Sequence, residues 1–186
     1  DVVLALHQRL LASGARPLAW SPAISALLNF ESLRDNAEPL DDPRTTAGLP
    51  PLVAADILGS LADLGRINWF EMPAMSSRTA CAKLRQLEDA KLRLLLGSDA
   101  GAPGHLHSRA TWQEIEFWVR DCGLPVERVI QAATHDAATA MGVGHETGTL
   151  APGKYADVIA VRGDVLRNPD LLQSVDIVIK RGRRVR

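Results

Sequence analysis

The chain has almost no net charge: 21 Lys and Arg stand against 22 Asp and Glu, a formal charge of -1. Nothing in that balance points to nucleic acid or an anionic membrane as partner. Long apolar runs are also missing. Runs such as Leu94-Leu95-Leu96 are far too short to cross a bilayer. There is no basic segment leading into an apolar stretch, so no secretory leader is visible. Only two cysteines occur, Cys81 and Cys122, with no CxxC spacing. They read as reduced core thiols rather than a disulfide, which suits an intracellular protein and predicts a cytoplasmic location. No internal repeat or low-complexity tract is present.

What is present is an ordinary globular composition, 46% hydrophobic and 23% charged over 186 residues. That length is enough to bury a sizeable core. Apolar residues at Val3, Leu6 and Leu10 predict an amphipathic helix, which Gly14 ends. Arg16 to Trp20 reads as a short strand. From Ser21 to Pro51 the pattern dissolves into turn residues, predicting a long loop. Leu52 to Leu64 is helical, with Val53, Ile57, Leu61 and Leu64 on one face. Trp69 and Phe70 follow in a short aromatic connection, where core anchoring is the simpler role and pocket lining the alternative. Ser77 caps a helix running to about Ala90, and Leu92 to Leu96 reads as a parallel strand buried on both faces. Thr111 to Glu114 spells a capping box for the next helix. Pro125 opens another, and Thr134 is placed to cap a last short one. From Gly144 the texture changes to turns and alternating strands, with a hairpin through Arg181-Gly182.

Asp99 stands out. It ends a buried strand and is followed by Ala100, Gly101 and a Pro-Gly turn. A strand-end carboxylate in a parallel α/β sheet or barrel lies on the carboxyl face, where such folds place active sites. There it can ligate a metal through oxygen or move a proton; the alternative is an Asp that caps the following loop. His105 and His107 alternate, yet they follow a turn with no apolar strand leading in, so a shared metal is not the favoured role. His7, His135 and His145 read as surface or capping residues. The basic C-terminal stretch, Lys180 to Arg186, reads as a solvated strand face, because it alternates with apolar residues and has no aromatic stacking partners.

Four segments then match one family in order. Leu94 to Gly104, LLLGSDAGAPG, resembles the eighth barrel strand and loop of the metal-dependent amidohydrolases, closest to the imidazolonepropionase-like and prolidase-like members. Val129 to Ala138, VIQAATHDAA, is similar to their following helix. Gly148 to Asp164, GTLAPGKYADVIAVRGD, is similar to the return to their β-sandwich, and Val175 to Val185, VDIVIKRGRRV, to its closing hairpin. Together they cover about half the chain.

The resemblance implies an α/β fold: the C-terminal part of a (β/α)8 barrel, strands seven and eight with their helices, over residues 1–147. Strands of a small β-sandwich domain follow over 148–186. It implies hydrolysis of carbon–nitrogen bonds in a small amide or dipeptide-like substrate. One or two divalent ions, commonly zinc, activate the water. Asp99 takes the role of metal ligand and general acid/base, and His105 and His107 lie where relatives contact substrate. The family's strand-one HxH pair, bridging lysine and strand-four to strand-six histidines have no counterpart here. A whole barrel takes roughly 250 residues. The chain is therefore expected to be a C-terminal portion, inactive alone and prone to associate, with a homo-oligomer as one form that association can take. An amidine deaminase of the same superfamily, or a non-catalytic interaction domain using Trp69, Phe70 and the long loop, are the other readings the residues leave open.

Overall fold

The computed structural model describes residues 2–34, 46–61, 77–101 and 105–186. Trp69, Phe70 and most of the Pro-rich stretch before Pro51 lie outside them. Helix α1 (Val2–Ala12) leads into strand β1 (Ala19–Trp20), and helix α4 (Ser77–Asp89) leads into strand β2 (Arg93–Leu94). Between them come α2 (Ile24–Arg34) and α3 (Pro51–Leu61). The two strands pair in parallel, Ala19 opposite Arg93 and Trp20 opposite Leu94. Two helix-then-strand units lying side by side account for the parallel direction, since neither return is a tight hairpin.

The core forms where apolar periodicity meets that sheet. Ala80, Cys81, Leu84 and Leu87 share one face of α4 and are all buried. Leu92 and Leu94 continue the same core, joined by Trp118, Cys122, Val129 and Ala132 from the later helices. Arg93 and Leu95, on the other side of β2, are only half-buried. The strand is therefore not covered on both faces as its composition predicts. Its successive side chains alternate between the two sheet faces, and among the described residues only one face meets packed helices.

Helix α2 corrects the expectation of a long loop from Ser21. The breakers that suggested the loop, Asn36 onwards, lie beyond its end. Its N-terminus is satisfied from far away: Glu114 accepts from the Ile24 and Ser25 amides at 3.1 and 2.6 Å. Glu114 thus does not serve the capping box read at Thr111. Helix α5 (Ala110–Glu116) starts after Arg109 without a side-chain cap and runs on through a π-helical turn, Phe117–Asp121. Helix α6 (Val126–Gln131) has Pro125 as its N-cap rather than its first residue. A second π-helical turn, Ala132–Asp136, carries it into α7 (Ala137–Ala140). Thr134 sits inside that continuous run, with its hydroxyl on the Ile130 carbonyl at 2.7 Å, and caps nothing.

In α3 the predicted inner face is not buried where it is described: Val53 is exposed and Ile57 half-buried.

Two further expectations are overturned. Cys81 and Cys122 form a disulfide, joining α4 to the end of the α5 run. They lie 41 positions apart in sequence, but the two helices pack together; the Arg85 side chain, one turn along α4, also donates to the Cys122 carbonyl at 2.7 and 2.9 Å. The cysteines therefore no longer support a reducing compartment. His7 is not a surface residue either. It is fully buried on α1, with both ring nitrogens unpartnered. His135 and His145 are exposed, as expected.

The C-terminal residues form a separate antiparallel sheet in the order β3 (Val158–Ala160), β4 (Ile177–Lys180), β5 (Arg183–Arg184). Arg181-Gly182 makes the hairpin between the last two. Asp157 ties its base, accepting from Lys180 Nζ at 2.6 Å and the Arg181 amide at 2.8 Å. No helix among the described residues is long and apolar enough to cross a membrane.

Candidate active site

The parallel pairing sets the carboxyl ends of β1 and β2 side by side. The Leu95 amide donates to the Trp20 carbonyl at 2.8 Å, and the next residues of both strands stay close. A Cβ at Gly97 would lie 2.1 Å from Ser21 Oγ, so any side chain there would require Ser21 to move. Two residues on, Asp99 is exposed and held at φ +50°. That left-handed conformation is unfavourable for a residue with a Cβ, though aspartate tolerates it better than most.

The loop after Asp99 folds back on itself. The Gly101 amide donates to the His105 carbonyl at 2.9 Å. The His107 ring lies over Gly101, where a Cβ would come within 3.2 Å of its Cε1. Thus the three residues singled out from sequence share one short loop at the strand end. They differ in access: Asp99 and His107 are exposed, whereas His105 is fully buried.

The buried ring is specifically bonded. His105 Nε2 is 2.7 Å from the Ser98 carbonyl and 3.4 Å from Ser25 Oγ. A carbonyl can only accept, so Nε2 carries the proton and donates it there. Nδ1 has no partner. Burial holds the His105 pKa below its ordinary value of 6.5, against the opposing effects of the Ser98 carbonyl and the Asp99 charge, so the neutral ring is favoured.

Behind Ser25 lies Glu114, fully buried. Besides the two amides of α2 it accepts from Trp118 Nε1 at 2.6 Å. Burial pushes its carboxyl pKa up, and the bonds from Ser25, Trp118 and Ile24 oppose that shift. Sequence reasoning missed both Ser25 and Glu114. The one available signal was Glu114 four residues before Trp118, on the inward face that also carries Ile115 and Cys122. Among the described residues no group of three His, Cys, Asp or Glu side chains is placed to hold a metal ion.

The family model for the amidohydrolase family matches residues 37–185, most of the chain. The chain belongs to the amidohydrolase family. An N-acetylglucosamine-6-phosphate deacetylase from Caenorhabditis elegans is 39% identical over 51 residues, 27% of this amidohydrolase chain and 12% of the relative. A Xaa-Pro dipeptidase, solved with bound methionine in its active site, superposes on 94% of the chain and 35% of its own, with TM-score 0.59 and 22% identity. A prolidase-named protein from Bifidobacterium longum covers 90% of the chain and 35% of its own, with TM-score 0.57 and 26% identity. These likenesses carry a TIM-barrel-like α/β fold. The amidohydrolase chain spans about a third of the length of the two solved structures and about an eighth of the deacetylase.

Proposed function

We propose that this amidohydrolase chain supplies barrel strands seven and eight, over residues 1–147, and then strands of a β-sandwich domain, over 148–186. We further propose that the whole protein hydrolyses a carbon–nitrogen bond of a small amide or dipeptide-like substrate with a divalent metal, commonly zinc in this family. One observation carries the reading: Asp99 is exposed at the carboxyl end of a parallel strand pair, in a loop with His107. That end of a parallel α/β barrel is where substrates meet catalytic groups.

Asp99 fits a metal in part. Its carboxylate is a suitable oxygen donor for zinc, and its exposure leaves the oxygens free to face a ligand. A catalytic zinc takes about three protein ligands, so the remaining ones belong to parts of the protein outside this chain's described residues. When bound, the metal lowers the pKa of the attacking water. The work of this chain's residues is then to hold and move a proton. Asp99 accepts it at a carboxylate oxygen and returns it to the leaving nitrogen. His107, exposed beside Gly101, is the histidine placed to touch substrate; His105, enclosed, is not.

The test is Asp99→Asn in the whole protein. Turnover should fall by ~10² or more, the size expected when a positioned acid/base is lost. The melting temperature of the metal-free protein should not change, since the side chain is exposed. Turnover near wild type would overturn the reading.

A further inference from the structure

Asp99 sits in a conformation that must be held from outside, and one residue holds it from both sides. The His105 ring donates from Nε2 to the carbonyl of Ser98, immediately before Asp99, at 2.7 Å. The His105 carbonyl accepts from the Gly101 amide, two residues after Asp99, at 2.9 Å. The peptide group before Asp99 and the one between Ala100 and Gly101 are thereby tied to a single buried residue. The ring is itself fixed: it is fully enclosed, and Ser25 Oγ approaches Nε2 at 3.4 Å. Ser25 is anchored by its amide to Glu114 at 2.6 Å, and Glu114 is locked by Trp118 and Ile24. The chain of contacts runs from the α5 helix through the N-terminus of α2 to the strand end that carries Asp99.

We infer that His105 is a positioning residue for Asp99, clamping the left-handed turn after β2 with its ring and its carbonyl, with the ring fixed by burial and Ser25, seated on Glu114, packed beside it. The bearing of this clamp on turnover rests on the reading of Asp99 as acid/base. The clamp itself does not, because it is a property of the backbone between Ser98 and Gly101. It also gives the neutral Nε2–H tautomer of His105 a use, since a donor is required at that nitrogen.

The test uses the whole protein, freed of metal for the structural arm. Amide exchange is read at Gly101, whose donor bond depends on the clamp. His105→Leu should speed that exchange about tenfold, the effect of losing one ordinary hydrogen bond, while exchange within α4 stays unchanged. His105→Gln places an amide N–H near the position of Nε2 and should restore most of the protection. His105→Asn places its N–H too short of Ser98 and should not. Unchanged exchange at Gly101 in His105→Leu, or equal behaviour of Gln and Asn, would overturn the inference. If His105→Leu does not fold, the Gln and Asn pair still decides it. The kinetic arm separates positioning from substrate contact: in His105→Leu kcat should fall with KM nearly constant, and a rise in KM alone would overturn the role of the clamp in positioning Asp99 for turnover. Failure of the Asp99→Asn test with the exchange results intact would remove the catalytic reading and leave the clamp standing.

Discussion

Glu114 shows how a single residue changes meaning between sequence and structure. Locally it completes a Thr-x-x-Glu pattern; in the fold it is a buried carboxylate serving another helix 90 residues away in sequence. No local pattern encodes that, because the Ile24 and Ser25 amides reach it only after α2 and α5 pack. Asp99 is the opposite case. Its place just after a strand and ahead of Gly101 follows from consecutive residues, so that much was readable directly. A pH prediction follows for Glu114. Its folded pKa is raised above the ordinary value of 4.5, so its contribution is fully present below about that pH and is lost as pH rises through the raised value. The stability difference between wild type and Glu114→Gln should therefore fall across that window and flatten above it. Denaturant unfolding at a series of pH values measures this, and a difference growing with pH would contradict it.

Among the elements, the pairing of α4 with the α5 run is held covalently. Closing a loop across a separation of 41 residues should contribute about 4 kcal/mol in the chain-entropy account. Cys81→Ser and Cys122→Ser should each lower stability by that order, and a non-reducing digest should return the two cysteine peptides linked. Two free thiols in the native protein would refute the bridge. Spacing alone could not show it, since sequence distance says nothing about which helix faces meet. The C-terminal hairpin, by contrast, was legible from strict alternation and a Gly turn. Its base depends on Asp157, whose pKa is lowered by the bonds from Lys180 and the Arg181 amide. That contribution is present above the ordinary value of 3.8 and lost as pH falls through the lowered one. Asp157→Asn should speed amide exchange at Arg181 while leaving α4 untouched; no change there would mean the contact holds nothing.

For the whole molecule, the described parallel sheet has only two strands, and parallel sheets are otherwise found covered and continued on both sides. Large apolar side chains are also left open, Leu52 at 85% and Trp20 at 40% exposure. Open strand edges and apolar surface favour association. The 186-residue chain expressed by itself should therefore sediment as more than a monomer. With Asp99 as its one proposed metal ligand, it should not keep stoichiometric zinc through dialysis. A zinc-loaded monomer would contradict both expectations.

The sequence by itself determined what a few neighbouring residues can decide: most helix and strand positions, the strand-end Asp99 with its glycine-rich loop, the closing hairpin and the family. These follow from backbone preference and periodicity over less than about twenty residues. Only the tertiary structure decided which distant groups meet: the Cys81–Cys122 bridge, the burial of His7, the start of α2 on Glu114, and the clamp of His105 across Asp99. Each of these depends on how whole elements pack, and a buried polar group takes whichever partner the packing brings within reach.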